Sequence, residues 1–141
     1  MRKALLYRLF KIGRIPGKIR PLLESEGIRI CDEGVRGWVF TRKFRAPGKR
    51  YRYRKTWFAG FLAITGKRII AYTFWKPIIN IGIDDSRMSE IEIDLKTPEK
   101  LVFTFESNLF HPDMQGQIEV GFNTPEAGEF YRLIRSFQQG S

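Results

Sequence analysis

Among 141 residues the chain holds one cysteine, Cys31, and one histidine, His111. A single thiol closes no disulfide within the chain, so nothing in its cysteine usage points to an oxidising compartment. One cysteine with one histidine also falls short of the four ligands of a structural zinc site. No acidic residue occurs before Glu24 and no serine before Ser25. No apolar run approaches the ~20 residues of a membrane-spanning helix; the longest, Trp57 to Ile64, is interrupted by Gly60. The N-terminal apolar run, Ala4 to Leu6, is cut short by Arg8 and Lys11, which is a poor secretory signal. Neither a GxGxxG nor a GxxxxGK[ST] pattern occurs, so no dinucleotide fingerprint or P-loop is present. These absences set a cytoplasmic expectation and remove the commonest cofactor signatures; no cofactor and no metal are expected.

Positive charge is abundant. The net charge is +10 and the sequence pI about 10.0, in a composition that is 43% hydrophobic and 14% aromatic. That apolar content excludes general disorder, and the length suits one domain with a real core. The charge is uneven. Met1 to Lys67 carry 18 Lys and Arg against four acids, and Arg68 to Ser141 carry seven against eleven. Unless the fold interleaves the two halves, this makes an electric dipole that orients the molecule toward an anionic membrane, nucleic acid or an acidic partner.

Residues 1–26 read as a basic helical segment. Leu5, Leu6, Leu9 and Phe10 fall at helical spacing, with Lys3, Tyr7, Lys11 and Arg14 mainly on the other side, which predicts a short amphipathic helix from Arg2 to about Ile12. A second short helix is expected through "GKIRPLLES", closed by Gly27. Three readings stay open for this segment. It docks on the domain, or it lies on an anionic membrane through Lys3, Leu5, Leu6, Leu9, Phe10 and Lys11, or it is a transit peptide, against which its lack of serine argues.

From Gly27 onward the pattern is that of strands. Ile28 and Ile30 alternate with Arg29 and Cys31, and Trp38, Phe40 and Phe44 mark a second alternating stretch. "APGK" at 46–49 and "TGKR" at 65–68 are tight turns flanking a stretch from Arg50 to Thr65 that forms one bent strand or two. "RIIAYTFW" is a strand, separated by Pro77 from "IINIGID". "EIEID" places Ile91 and Ile93 opposite Glu90, Glu92 and Asp94, "KLVFTFES" presents Leu101, Phe103 and Phe105, and "QIEVGFNT" is the last strand. "TPEAGEFYRLIRSF" then opens with Thr124 as N-cap and Pro125 at the first helical position, and buries Phe130, Leu133, Ile134 and Phe137. The expected fold is an open antiparallel β-barrel or sandwich of seven or eight strands, plugged by a C-terminal helix. The domain spans 27–138, with 139–141 as a frayed tail.

This order resembles the pleckstrin-homology-like superfamily, including its GRAM and bacterial branches. The local likeness is "FLAITGKRIIAYTFWKPIINIGIDD" at 61–85, in which Leu62, Ile64, Thr65, Lys67, Arg68, Ile69 and Ile70 match a strand–turn–strand of the form Leu-x-Leu-Thr-x-x-Arg-Leu-Ile. "YRKTWFAGFLAIT" is similar to the basic approach to a Trp-Phe pair in the eukaryotic branch. The resemblance implies a non-catalytic binding module. It also implies that Lys49, Arg52 and Arg54 stand where phosphoinositide-binding members carry their Lys and Arg residues. Many members, and most bacterial ones, do not bind those lipids, so the implication narrows to a generic anionic lipid or polyanion.

The residues themselves single out "KRYRYRK" at 49–55. In a strand, Arg50, Arg52 and Arg54 share one face, and Tyr51, Tyr53 and Lys55 the other. Arginines two apart present forked donors ~7 Å apart, suited to several phosphate oxygens. Across the Pro-Gly turn Arg42, Lys43 and Arg45 join Lys49. Two plainer roles compete with anion binding. An edge strand rich in Lys and Arg resists edge-to-edge aggregation, and the tyrosines can cover the core. The leading expectation is peripheral contact with the inner face of a membrane through anionic phospholipid, or with an acidic protein partner. Nucleic acid is the alternative, since tyrosines interleaved with arginines stack on bases; self-association stays open. An enzyme would need Cys31 and His111 to meet with a carboxylate, and a metal site would draw on "IDD" at 83–85 or "HPD" at 111–113. A small core role for Cys31 and a loop role for His111 are the simpler expectations.

Overall fold

The computed structural model describes residues 14–139, leaving aside the side chains of Phe44, Lys49, Tyr51 and Arg52. The helix expected over Arg2 to Ile12, with Lys3, Leu5, Leu6, Leu9, Phe10 and Lys11, falls outside the described residues, as do 140–141. The elements are helix α1 (Arg20–Glu26), strands β1 (Ile28–Ala46), β2 (Lys49–Thr65), β3 (Arg68–Thr73), β4 (Lys76–Gly82), β5 (Glu92–Thr97), β6 (Lys100–Glu106) and β7 (Gln115–Asn123), and helix α2 (Ala127–Gln139). Short 3-10 turns occupy Ser86–Glu90 and Ser107–Leu109.

The strands form one seven-stranded sheet in the order β4-β3-β2-β1-β7-β6-β5, antiparallel at every pair. The sheet curls into a half-barrel whose first and last strands do not pair. The turns explain the register. Pro47 presets its own φ, and Gly48 takes φ 77°, so Ala46 pairs directly with Lys49. At the β2–β3 turn the Thr65 hydroxyl accepts from the Lys67 and Arg68 N–H groups, each at 3.1 Å. β1 bends where its register with β2 slips between Glu33 and Val35, at Gly34 with φ 69°. Arg50 to Thr65 is thus part of one strand, not two.

The concave side holds the main core. Leu62, Ile64, Phe103 and Phe122 face Phe130 and Ile134 of α2, all fully buried; Leu133 and Phe137 are only half-buried at the helix flanks. Thr124 is buried, donates to Asp32 Oδ2 at 2.6 Å and accepts from the Glu126 N–H at 3.1 Å, closing a turn that leads into the helix; the helix itself starts at Ala127, so Pro125 lies in that turn and not at the first helical position. The far end of α2 is pinned by Gln138, whose amide donates to the Ile91 carbonyl at 2.7 Å and the Met88 carbonyl at 3.2 Å. The helix therefore runs through Gln139, one residue beyond the expected domain end.

A smaller core lies on the convex side. Residues 14–26 cross β1–β3 there, and Ile15 and Leu23 are buried against Phe61, Ala63 and Ile70. Glu33 accepts from the Ile15 N–H at 2.9 Å and pairs with Arg20. Glu26 receives the Arg68 guanidinium in a fork, at 2.6 and 2.9 Å, and the Thr65 hydroxyl at 2.8 Å. That fork lowers the Glu26 pKa; burial opposes the shift, and the Thr65 hydrogen bond adds to it. This part of the N-terminal segment is docked on the domain.

Two further expectations need correction. Pro77 does not separate strands; it lies inside β4, opposite Tyr72 at a register shift. β4 is an edge strand, where a missing N–H is tolerated. The apolar run from Trp57 to Ile64 does not lie wholly in the core: Trp57 is 63% exposed, and burial begins at Phe58, 6% exposed.

Candidate functional site: the cation–aromatic face of the β1–β2 hairpin

β2 pairs with β3 only from Gly60 to Ile64, so along residues 49–58 its sole strand neighbour among the described residues is β1. β7 flanks the other side of β1 out to Arg45. The basic stretch therefore lies along an open edge. Arg42, Lys43, Arg45, Arg50, Arg54 and Lys55 are all exposed, while Lys49 and Arg52 are fixed only in backbone register, Lys49 opposite Ala46. Strand alternation puts Arg50 and Arg54 on the face of Phe58, and Tyr53, Lys55 and Trp57 on the opposite, convex face. Tyr53 is 71% exposed and covers no core; it stacks on Phe40, centroids 6.2 Å apart and planes 16° apart.

The convex face combines aromatics and cations more tightly than the sequence suggests. Arg42 lies 4.9 Å over the Phe40 ring. One step inward, opposite each other across the ladder, Trp38 and Trp57 meet at 6.2 Å and 58°. The Lys55 ammonium sits 4.7 Å from the Trp57 centroid and 5.6 Å from that of Trp38. Lys100, from β6 two strands away, approaches Trp38 at 5.6 Å as well. Trp38 is held flat because its cross-strand neighbour is Gly121; a Cβ there would stand 2.1 Å from its Cη2. Its Nε1–H donates to Glu119 Oε2 at 3.2 Å. Trp38 and Trp57 with Lys55, Lys100, Arg36 and Thr97 border a groove of about 610 Å³ that runs toward the β5–β6 turn.

The groove's charges are not all available. Lys96 is engaged by Asp94 at 2.9 Å, and that hydrogen bond raises its pKa above the usual lysine value. Lys55 and Lys100 have no carboxylate within ion-pair distance among the described residues; their contacts are the indole faces. A cation over an indole gains about 0.5–1 kcal/mol at an exposed site, and it keeps its full charge for an anion.

The sequence singles out Lys55 and the arginines but misses the groove. Trp57 was not placed outward, although its alternation with Tyr53 and Lys55 was the signal that could have done so. Lys100 carried no signal, because its role depends on strand order. The enzyme alternative fares differently. Cys31 lies against the small core under residues 15–28, paired with Ala63, whereas His111 lies in the loop before β7, which runs alongside the opposite end of β1 at Arg45. The two are not brought together. Asp85 caps a 3-10 turn and binds Arg87 at 2.8 Å, which depresses the Asp85 pKa. Among the described residues no three His, Cys, Asp or Glu side chains converge as a metal site, and no helix is long and apolar enough to cross a membrane.

No known family model matches the chain, and neither does any curated protein.

Proposed function

We propose that the chain is a non-catalytic, pleckstrin-homology-like module that attaches to an anionic membrane surface through the β1–β2 hairpin. The observation that carries this reading is the make-up of the hairpin. Residues 42–55 include eight Lys and Arg and no acid, five of them on the open edge of β2, with Tyr53 and Trp57 exposed beside them. Cations near an anionic leaflet are worth about 1 kcal/mol each, and Trp and Tyr favour the headgroup level, where one end of the ring is apolar and the other wet. The strand order and the C-terminal helix in the concave face support the superfamily reading. An acidic protein partner would use the same charges.

Co-sedimentation tests it. The full chain should pellet with phosphatidylglycerol vesicles at low salt and not with phosphatidylcholine vesicles. No binding to the anionic vesicles would sink the reading. The exposed aromatics between cations also favour a second reading, single-stranded nucleic acid stacked on the same face. Filter binding to an oligonucleotide separates the two, because that reading requires an affinity for the strand exceeding that for vesicles at equal salt.

A further inference from the structure

We propose that the groove beside Trp57 is a seat for the phosphodiester headgroup of an anionic lipid, with the phosphate held between the Lys55 and Lys100 ammonium groups above Trp38. This rests on the membrane reading and adds to it a specific site, distinct from the diffuse charge near the Pro47–Gly48 turn. Lys55 and Lys100 come from strands that do not pair with each other, yet each lies 5.6 Å from the centroid of one indole. Two like charges gathered on one ring repel, and neither ammonium forms an ion pair among the described residues; the Glu119 carboxylate, which also lines the groove, is held by the Trp38 indole. An anion placed between the two ammonium groups relieves the repulsion.

Two acids lie nearby, and one of them, Glu119, lines the groove itself. Asp94 holds Lys96, and Glu119 accepts from the indole that forms the floor. That floor cannot rock toward the sheet without striking Gly121. Arg36 and Thr97 line the rim and offer further donors to a phosphate. Trp57 stands beside the seat, 63% exposed, where the glycerol and ester region of a lipid would lie. A volume of about 610 Å³ suits a headgroup.

The surroundings favour a bilayer over a nucleic-acid strand. Past the seat, β5 presents Glu92 and Asp94, both exposed. A polyphosphate strand continuing across the sheet would run into these carboxylates. A bilayer touching the β1–β2 side would not.

The test uses the full chain in a Trp75→Phe background, since Trp75 is exposed in the β3–β4 turn and outside the groove. Phosphatidylglycerol vesicles should change the emission of the remaining tryptophans, and a further Trp57→Phe change should remove most of that response. The Lys55→Gln/Lys100→Gln pair should lose at least about tenfold more vesicle affinity than the charge-matched Arg45→Gln/Arg50→Gln pair, for which about 30-fold is expected from the surface potential alone. Equal losses from the two pairs, or an unmoved Trp57 signal on bound vesicles, would overturn the seat while leaving hairpin attachment standing. Glycerol phosphate acting as strongly per phosphate as the vesicles would overturn the membrane as source, as would an oligonucleotide acting more strongly. Failure of the unsubstituted chain to bind vesicles at all is a different result and removes the underlying reading.

Discussion

Trp38 owes its position to a side chain that is missing. With hydrogen at Gly121 the indole lies on the sheet between two lysines; with a methyl, its Cη2 would sit 2.1 Å from the new carbon. Gly121→Ala should therefore tip the indole outward and break the Glu119 hydrogen bond, at a cost of about 1–3 kcal/mol for a forced repacking. Denaturant unfolding should report the loss, and tryptophan emission should shift to the red in the folded state. Wild-type emission in this variant would mean that the ring is not held by the glycine. At this scale the sequence was legible where chemistry is local. Thr65 in its turn, Thr124 in the turn before α2 and Gly48 after Pro47 behave as their residue types dictate. It was illegible where the partner comes from another strand, as with Gly121 under Trp38 or Glu26 on Arg68.

Among the elements, α2 was the easiest to foresee, and its worth is testable. Phe130 is fully buried inside the curled sheet among Phe103, Phe122 and Leu62. Phe130→Ala should cost about 3–5 kcal/mol, read as a lower denaturation midpoint with an unchanged slope. α1 presents a different case. Its existence could be guessed from the Gly27 stop, but the face it covers could not, because the outward residues Phe61 and Ala63 look like ordinary strand positions until Ile15 and Leu23 are laid over them. Its latch titrates. The Arg68 hydrogen bonds depress the pKa of Glu26, so the latch contributes stability above the ordinary carboxylate pKa of ~4.3. That contribution is lost as pH falls through the depressed folded value. Glu26→Gln should remove the acid-side dependence and raise amide exchange in residues 15–26 at neutral pH. Exchange in that segment that ignores both the substitution and acid pH would show that the fork does not hold α1.

At the scale of the molecule, the charge asymmetry between the chain's two halves does not become a simple side-to-side dipole. β1 and β2 lie at the centre of the sheet, flanked by β3–β4 on one side and β7–β6–β5 on the other, all from the more acidic half. The interleaving cancels charge along the body and leaves the excess at the end near Pro47–Gly48, where residues 42–55 have no acid among them. Position, not net charge, should then govern attachment. Arg50→Glu/Arg54→Glu and Lys18→Glu/Lys67→Glu give chains of the same net charge. Lys67 follows β2 at the end remote from the Pro47–Gly48 turn, roughly 50 Å along a strand that rises ~3.3 Å per residue, and well beyond a screening length of ~10 Å in 0.1 M salt. Reversal at the hairpin should lower affinity for phosphatidylglycerol vesicles by a hundredfold or more, at about 1 kcal/mol per charge removed or added. Reversal at Lys18 and Lys67 should stay within about threefold of the unsubstituted chain at that salt, a gap that narrows as salt rises and the Debye length shrinks. Equal losses from the two pairs at 0.1 M salt would mean that the whole body, and not the hairpin, meets the surface.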